Sequence, residues 1–339
     1  MNKPLNNKSK NFITVIKKNG LCSIQDLGRI ASQHLGFSAG GAADEYAFLF
    51  ANYLLARNDQ SSGLVSADTL SNTLNNAQLE ITLGQISYKV AQKCTIAITG
   101  ADCSATINDQ PIKNWQVYQL NTNDIISFAQ PKTGLHSYLA FAGGIHSKHW
   151  LNSQAQTSTE QSLAFSAPAI KEASIINLSD KCYVSNEEIK KTAKTLLPSS
   201  FYQKIPKTLT LRFIPQALWL SLNTEQQQAL NNHQFGITAN SNRMGYCLTP
   251  LPENTMTSSK APTLSKPVTF GTIQLPKNNQ PIILMKERQT IGGYPVLGVV
   301  IQTDLFKLSQ LRPGNKVQLI PTTLNFAQQQ LKAFYQKFA

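Results

Sequence analysis

Arginine is nearly missing from this sequence: of 31 basic residues, six are Arg and the other 25 are Lys. Charge of either sign is sparse, at 14% of residues, yet the balance is +13 with a pI near 9.5. That excess is scattered. No Lys/Arg run exceeds two residues and no aromatic-interleaved basic motif appears, so it reads as a solvated lysine coat and no nucleic-acid partner is expected. No apolar run approaches the length of a membrane span. The basic, polar start MNKPLNNKSKNF lacks the apolar core of a signal peptide. The five cysteines (Cys22, Cys94, Cys103, Cys182, Cys247) form no C-x-x-C pair and are odd in number, which favours reduced thiols and a cytoplasmic setting. The G-x-x-x-x-G-K-[ST] loop, the G-x-G-x-x-G turn and the G-x-S-x-G elbow are all missing. His146 and His149 are spaced H-x-x-H but have no third ligand nearby, so no metal is expected.

What is present is mostly strand. Phe12–Lys17 alternates and meets Asn19-Gly20, a strand and its turn. Asp44 can cap a helix whose apolar residues Tyr46 to Leu54 recur at helical spacing. From Ala77 to Phe141 short alternating segments (LEITL, ISYKV, CTIAITG, ATIND, then Trp115–Leu120, Ile125–Phe128 and His136–Phe141) are bounded by Gly, Asn or Asp. Periodicity fades between Ser153 and Ser200, which places a domain boundary there. Strands resume at Thr208–Ile214, Val268–Leu275, Pro281–Met285, Val296–Gln302 and Val317–Ile320. Helices are expected at Asn223–Asn231, at Asp304–Gln310 with Asp304 near the cap, and after Thr323. The expectation is an all-β chain with few helices: a disordered tail 1–11, a first barrel-like domain 12–200 and a second 201–339 carrying the C-terminal helix.

Three stretches are dense in site-forming residues. Gln25–Asn52 holds Gln25, Asp26, Arg29, His34, Gly40, Gly41, Asp44 and Asn52. Asn240–Tyr246 sets Arg243 between Asn residues and Gly-Tyr. Gln280–Pro295 runs from a strand into Glu287-Arg288-Gln289-Thr290 and ends in Gly292-Gly293-Tyr294-Pro295. Arginine suits planar, bidentate recognition of carboxylate or phosphate, and Arg29, Arg243 and Arg288 stand apart from the lysine coat. Gln289 and Thr290 offer neutral hydrogen bonds fit for an amide, lactam or ureido group, and a Gly-Gly backbone can approach an oxyanion closely. Together the stretches point to one composite polar site.

The same stretches carry a resemblance. QDLGR (Gln25–Arg29), GGAAD…AN (Gly40–Asn52), LEITL-G (Leu79–Gly84), AITGAD (Ala97–Asp102), YLAFAGGI (Tyr138–Ile145), SNRMGY (Ser241–Tyr246), GTIQLP (Gly271–Pro276) and QTIGGYP (Gln289–Pro295) occur in this order. The chain resembles the KipA family, the C-type component of bacterial 5-oxoprolinase, which is related to part of the carboxyltransferase region of urea carboxylase and urea amidolyase. Leu151–Ala155 departs from the family's usual glycine-serine-arginine segment, and Asn123 and Asn278-Asn279 stand where glycines are usual.

The resemblance implies two cyclophilin-like β-barrel domains and two partner chains. One is KipI-like, the B-type component; the other is LamB/YcsF-like, the A-type component, which uses ATP to hydrolyse 5-oxoproline to glutamate. ATP is then a cofactor of the complex, and a nucleotide bound by this chain is a further expectation. On that reading Arg29 or Arg243 holds a carboxylate; Gln25, Gln289, Thr290 and the Gly292-Gly293 backbone polarise a carbonyl; Asp26 or Asp44 takes a proton, pairs an arginine or caps a helix. His34, Gly40, Gly41, Asn52, Tyr246, Gln274, Gln280 and Tyr294 complete the expected contacts. Two alternatives stand beside it: biotin-dependent carboxyl transfer with biotin supplied in trans, and a non-catalytic antagonist that captures a KipI-like partner.

Overall fold

A computed structural model describes residues 11–58, 74–163, 166–185, 200–252 and 264–338. The expected tail before Asn11 lies outside them. The chain divides into two compact units: Met1–Leu27, Tyr46–Gln156 and Gln161–Tyr202 form one, and Gly28–Glu45, Thr157–Glu160 and Gln203–Ala339 form the other. The expected domains 12–200 and 201–339 thus need a correction, because 28–45 and 157–160 leave the first and join the second.

In the first unit, strand Phe12–Lys18 pairs antiparallel with Ile86–Val90 and Ile175–Leu178 in a seven-stranded sheet. A five-stranded sheet runs in the order Leu21–Gln25, Gln78–Thr82, Thr133–Phe141, Cys94–Asp102, Gln116–Leu120. Alternation decides the layering: Ile13, Val15, Tyr88 and Ile126 of one sheet share a core with Leu79, Ile81, Ile96 and Leu139 of the other. Helix Glu45–Asn58 packs Ala51 and Leu55 on Ala97, Ala140 and Ala142, on the opposite face of the five-stranded sheet. Small side chains on both partners permit that close approach.

The second unit is built on a seven-stranded sheet in the order 234–236, 316–321, 208–215, 296–300, 272–274, 282–284, 245–247. Thr208–Pro215 runs parallel to Lys316–Pro321 and antiparallel to Val296–Val300. A separate two-stranded ladder joins Lys266–Pro267 to Ile291–Gly292. Helices Gln302–Leu308 and Leu324–Tyr335 meet through Phe306 and Phe334, with ring centroids 5.0 Å apart.

The all-β expectation with few helices holds in both units. Local readings change at several points. Leu21–Gln25, Gln234–Gly236, Gly245–Cys247 and Ile175–Leu178 are strands too short or too polar to show alternation. Strand Val268–Leu275 shrinks to Thr272–Gln274, because the residues before it turn at Gly271 (φ +88°). The helix expected from Asp304 begins at Gln302 with Ile301 at its cap, and Asp304 stands near that cap in the first turn; it is buried and accepts both the backbone N–H and the guanidinium of Arg212. Thr323 does cap the last helix, accepting from Phe326 N.

Candidate functional site

The dense opening stretch is divided between the two units after Leu27. Gln25 and Asp26 end a strand of the first unit and are committed there. Gln25 Nε2 donates to Ser23 Oγ at 2.9 Å and to Gln156 O at 2.7 Å. Asp26 is buried, its carboxylate accepting from Ser153 Oγ at 2.8 Å and from Gln154 N at 2.6 Å. Ser153 and Gln154 belong to the segment that departs from the family pattern, so the departure retains a structural contact. Asn52 is likewise internal, its amide tying helix Glu45–Asn58 to Leu74 O and Asn76 O, both at 2.9 Å. Gln25, Asp26 and Asn52 thus each have polar groups engaged in holding the first unit together.

Gly28–Glu45 packs in the second unit as a closed loop. Arg29 N donates to Ala39 O at 2.7 Å. Gly28 has φ +92°, and a Cβ there would lie 2.7 Å from Gly40 O, so only glycine closes the loop this tightly. Gly40 N donates to Lys286 O, and Gly41 O accepts Arg243 Nη2 at 2.7 Å. These bonds bring the Gly40-Gly41 step beside Arg243 and the 285–290 corner, as a composite site built from the three stretches requires. Arg29 is 2% exposed. His34 is exposed on the short 3-10 turn Gln33–Leu35, with its Nδ1 2.9 Å from Ala31 O.

The ionic groups of this corner pair off one by one. Arg243 Nε donates to Glu287 Oε1 at 2.5 Å, and Glu287 also accepts the N–H and hydroxyl of Ser158. Lys286 Nζ lies 3.2 Å from Glu45, which further accepts from Gln302 and from the Tyr335 hydroxyl. Burial and that adjacent carboxylate push the Tyr335 phenol well above its ordinary range. Asp44 is fully buried and accepts Gln310 Nε2 at 2.7 Å. The charge of Arg243 is thus matched by Glu287, and one of its nitrogens is given to Gly41 O.

Arg288 differs from its neighbours. It is 7% exposed, and its Nη2 donates to Gln33 Oε1 at 3.0 Å and its Nη1 to Met285 O at 3.4 Å. No acidic side chain among the described residues pairs with it, and its buried Nε has no acceptor. Burial without a counter-charge lowers its pKa to about 10. Gln33 Nε2 continues the chain of bonds to Val268 O at 2.6 Å and Thr290 O at 3.2 Å. Gln289 is exposed and its amide reaches Gln274 Oε1 at 3.5 Å, while the buried Gln274 Nε2 has no acceptor. A Cβ on Gly292 would stand 2.3 Å from that Nε2, so glycine leaves the amide room. Tyr294 is 48% exposed nearby in sequence.

Two expected contacts are elsewhere. Tyr246 is a buried strut whose hydroxyl donates to Ser309 O and Leu311 O, and Gln280 shapes a turn with Asn278. No group of three or more His, Cys, Asp or Glu among the described residues is arranged to hold a metal. No helix among them is long and apolar enough to cross a membrane.

Residues 35–321 match the family described as carboxyltransferase domain, subdomain A and B. The chain belongs to that family. This carboxyltransferase-family chain is 28% identical over 318 residues to the C-type subunit of 5-oxoprolinase from Haemophilus influenzae, and the alignment covers 93% of each chain. It is 26% identical to the corresponding C-type 5-oxoprolinase subunit of Escherichia coli K12, again over 93% of both. Its fold is that of part of the Kluyveromyces lactis urea carboxylase, with a TM-score of 0.79 over 99% of this chain and 29% of that one, at 21% identity. The resemblance read from QDLGR through QTIGGYP is therefore sound at family level.

Sequence reasoning passed over Arg288 as a site member, although arginine scarcity had singled it out. It also missed Gln33, Glu45 and Lys286. No local pattern marks a glutamine in a three-residue 3-10 turn, and ion-pair partners 241 residues apart, as Lys286 and Glu45 are, become visible only on folding.

Proposed function

We propose that this chain is the C-type component of an ATP-dependent 5-oxoprolinase, acting with a KipI-like B-type partner and a LamB/YcsF-like A-type partner to open the lactam of 5-oxoproline to glutamate. The observation that carries it is the alignment over 93% of both chains with two proteins named as that component. The second unit supports it chemically. Gln274, whose buried Nε2 has no acceptor, and the exposed Gln289 offer amide groups that match a neutral lactam edge. Arg288 adds a cation that no acidic side chain of the described residues neutralises. ATP belongs to the complex in this proposal, and the setting is cytoplasmic.

In the reaction, water adds to the lactam carbonyl carbon and the ring C–N bond breaks, coupled to ATP hydrolysis. This chain's part is to bind and orient: the Gln289–Gln274 amide pair and the Gly292-Gly293 backbone stand where a carbonyl is polarised, and the Gly28–Glu45 loop holds the corner rigid through Lys286 and Arg243. The family description favours one other reading, carboxyl transfer from biotin carried on another chain. The test is glutamate release from 5-oxoproline and ATP by the three chains together, with each omitted in turn. Release that requires this chain is expected; none from the full set overturns the proposal, and carboxylation of an amide or urea by added carboxybiotin would install the alternative.

A further inference from the structure

Among the described residues of the second unit, Arg288 is a buried cation with no acidic partner, unlike the two basic side chains near it in the same corner. Arg243 is matched by Glu287 and Lys286 by Glu45, at 2.5 Å and 3.2 Å. Arg288, buried and following directly on Lys286 and Glu287, has only Gln33 Oε1 and Met285 O for acceptors. A guanidinium enclosed among neutral groups is costly to bury unless an anion completes it. The surrounding groups also limit what kind of anion fits. Gln33, which accepts from Arg288, donates onward to Val268 O and Thr290 O. Val268 Cγ1 and Gln274 Nε2 both crowd the position a Cβ of Gly292 would take, at 3.2 Å and 2.3 Å. Gln274 Nε2 and Arg288 Nε are thus two buried donors without acceptors on adjoining segments.

We propose that this corner is a carboxylate-binding site, in which Arg288 supplies the charge and Gln274 a neutral second donor. One uncompensated positive charge suits a monoanion; a phosphate dianion would call for a second cation, and Arg243 and Lys286 are already paired. That the carboxylate is that of 5-oxoproline rests on the function proposed above; the site itself does not.

The full-length chain is titrated by calorimetry with L-5-oxoproline, with acetate, with 2-pyrrolidinone (the same lactam without its carboxylate) and with inorganic phosphate. Both carboxylates are expected to bind, and 2-pyrrolidinone at least tenfold more weakly than 5-oxoproline. Arg288→Gln should weaken carboxylate binding at least tenfold, Arg288→Lys should restore part of it, and Gln274→Leu should weaken it severalfold even if the arginine variants fold poorly. Failure of the wild-type chain to bind either carboxylate overturns the site. So does unchanged affinity in Arg288→Gln and Gln274→Leu, or phosphate binding tighter than both carboxylates. The two proposals fail separately. Turnover by the complex with unchanged carboxylate affinity in Arg288→Gln removes the site and leaves the function, whereas Arg288-dependent carboxylate binding without glutamate release does the reverse. An unaltered KM for 5-oxoproline in a variant that no longer binds acetate removes only the assignment of the carboxylate to that substrate.

Discussion

At the residue scale, three of the six arginines illustrate how environment assigns roles to one side chain. Arg212 meets Asp304 at 2.5 Å, and that hydrogen bond raises its pKa. Arg243 pairs with Glu287, while Arg288 is buried beside amides and a carbonyl, and its pKa falls to about 10. The consequence for stability has a definite sign. The folded-state value lies below the ordinary guanidinium range, so the native state loses its proton first as pH rises. The burial cost is carried in full at neutral pH and is relieved as pH climbs from about 10 toward the unfolded value. Without ligand, Arg288→Gln should therefore leave Tm at pH 7 at or above that of the wild type, and its advantage should shrink above pH 10. A clear drop in Tm at pH 7 would show that Arg288 serves the fold. The thiols give a second test at this scale. Burial pushes Cys22 up to about 12 and Cys94 higher still. Neither should be alkylated by iodoacetamide in the native state at pH 8, as read by mass spectrometry, and both should react once the chain is unfolded.

At the scale of elements, the helix Gln302–Leu308 is joined to strand Thr208–Pro215 by one side chain. Asp304, 1% exposed, accepts the Arg212 backbone N–H at 2.9 Å and its Nε at 2.8 Å, and the Arg212 guanidinium also lies 5.0 Å from the Phe326 ring. Asp304→Ala removes three acceptor contacts at once and leaves a backbone donor buried. A loss of about 3 kcal/mol is expected, measured by urea denaturation. Replacing Thr323, which caps the last helix, should cost about 1 kcal/mol by comparison. The two aspartates of the expected site, Asp26 and Asp44, belong with Asp304: each is a buried acceptor that organises backbone and amide donors.

At the scale of the molecule, the notable feature is the route of residues 28–45. They leave the first unit after Leu27, close a loop within the second, and return at Tyr46. There they supply Glu45 to Lys286, Gly41 O to Arg243, Asp44 to Gln310 and Gln33 to Arg288. A fragment of residues 203–339 lacks all four, leaving a buried ammonium without its carboxylate. It should fail to give a cooperative unfolding transition or a dispersed amide NMR spectrum. A well-dispersed spectrum from that fragment would show that the loop is dispensable to the second core.

Much of the strand content was legible because half-buried strands alternate with a period of two, and a single residue's side of the sheet can be read from its neighbours. Ile13, Val15, Leu79, Ile81, Ile96 and Leu139 all fall on the core side that alternation assigns them. The three polar stretches and the family were legible too, because scarce arginines and paired glycines stand out against a Lys-, Asn- and Gln-rich background. The pairing within those stretches was not. Whether an arginine is a latch or an open cation depends on which carboxylate the fold brings within about 4 Å. Glu287 and Arg288 are adjacent in sequence, yet only the tertiary structure gives Glu287 to Arg243, 44 residues away, and leaves Arg288 with neutral partners.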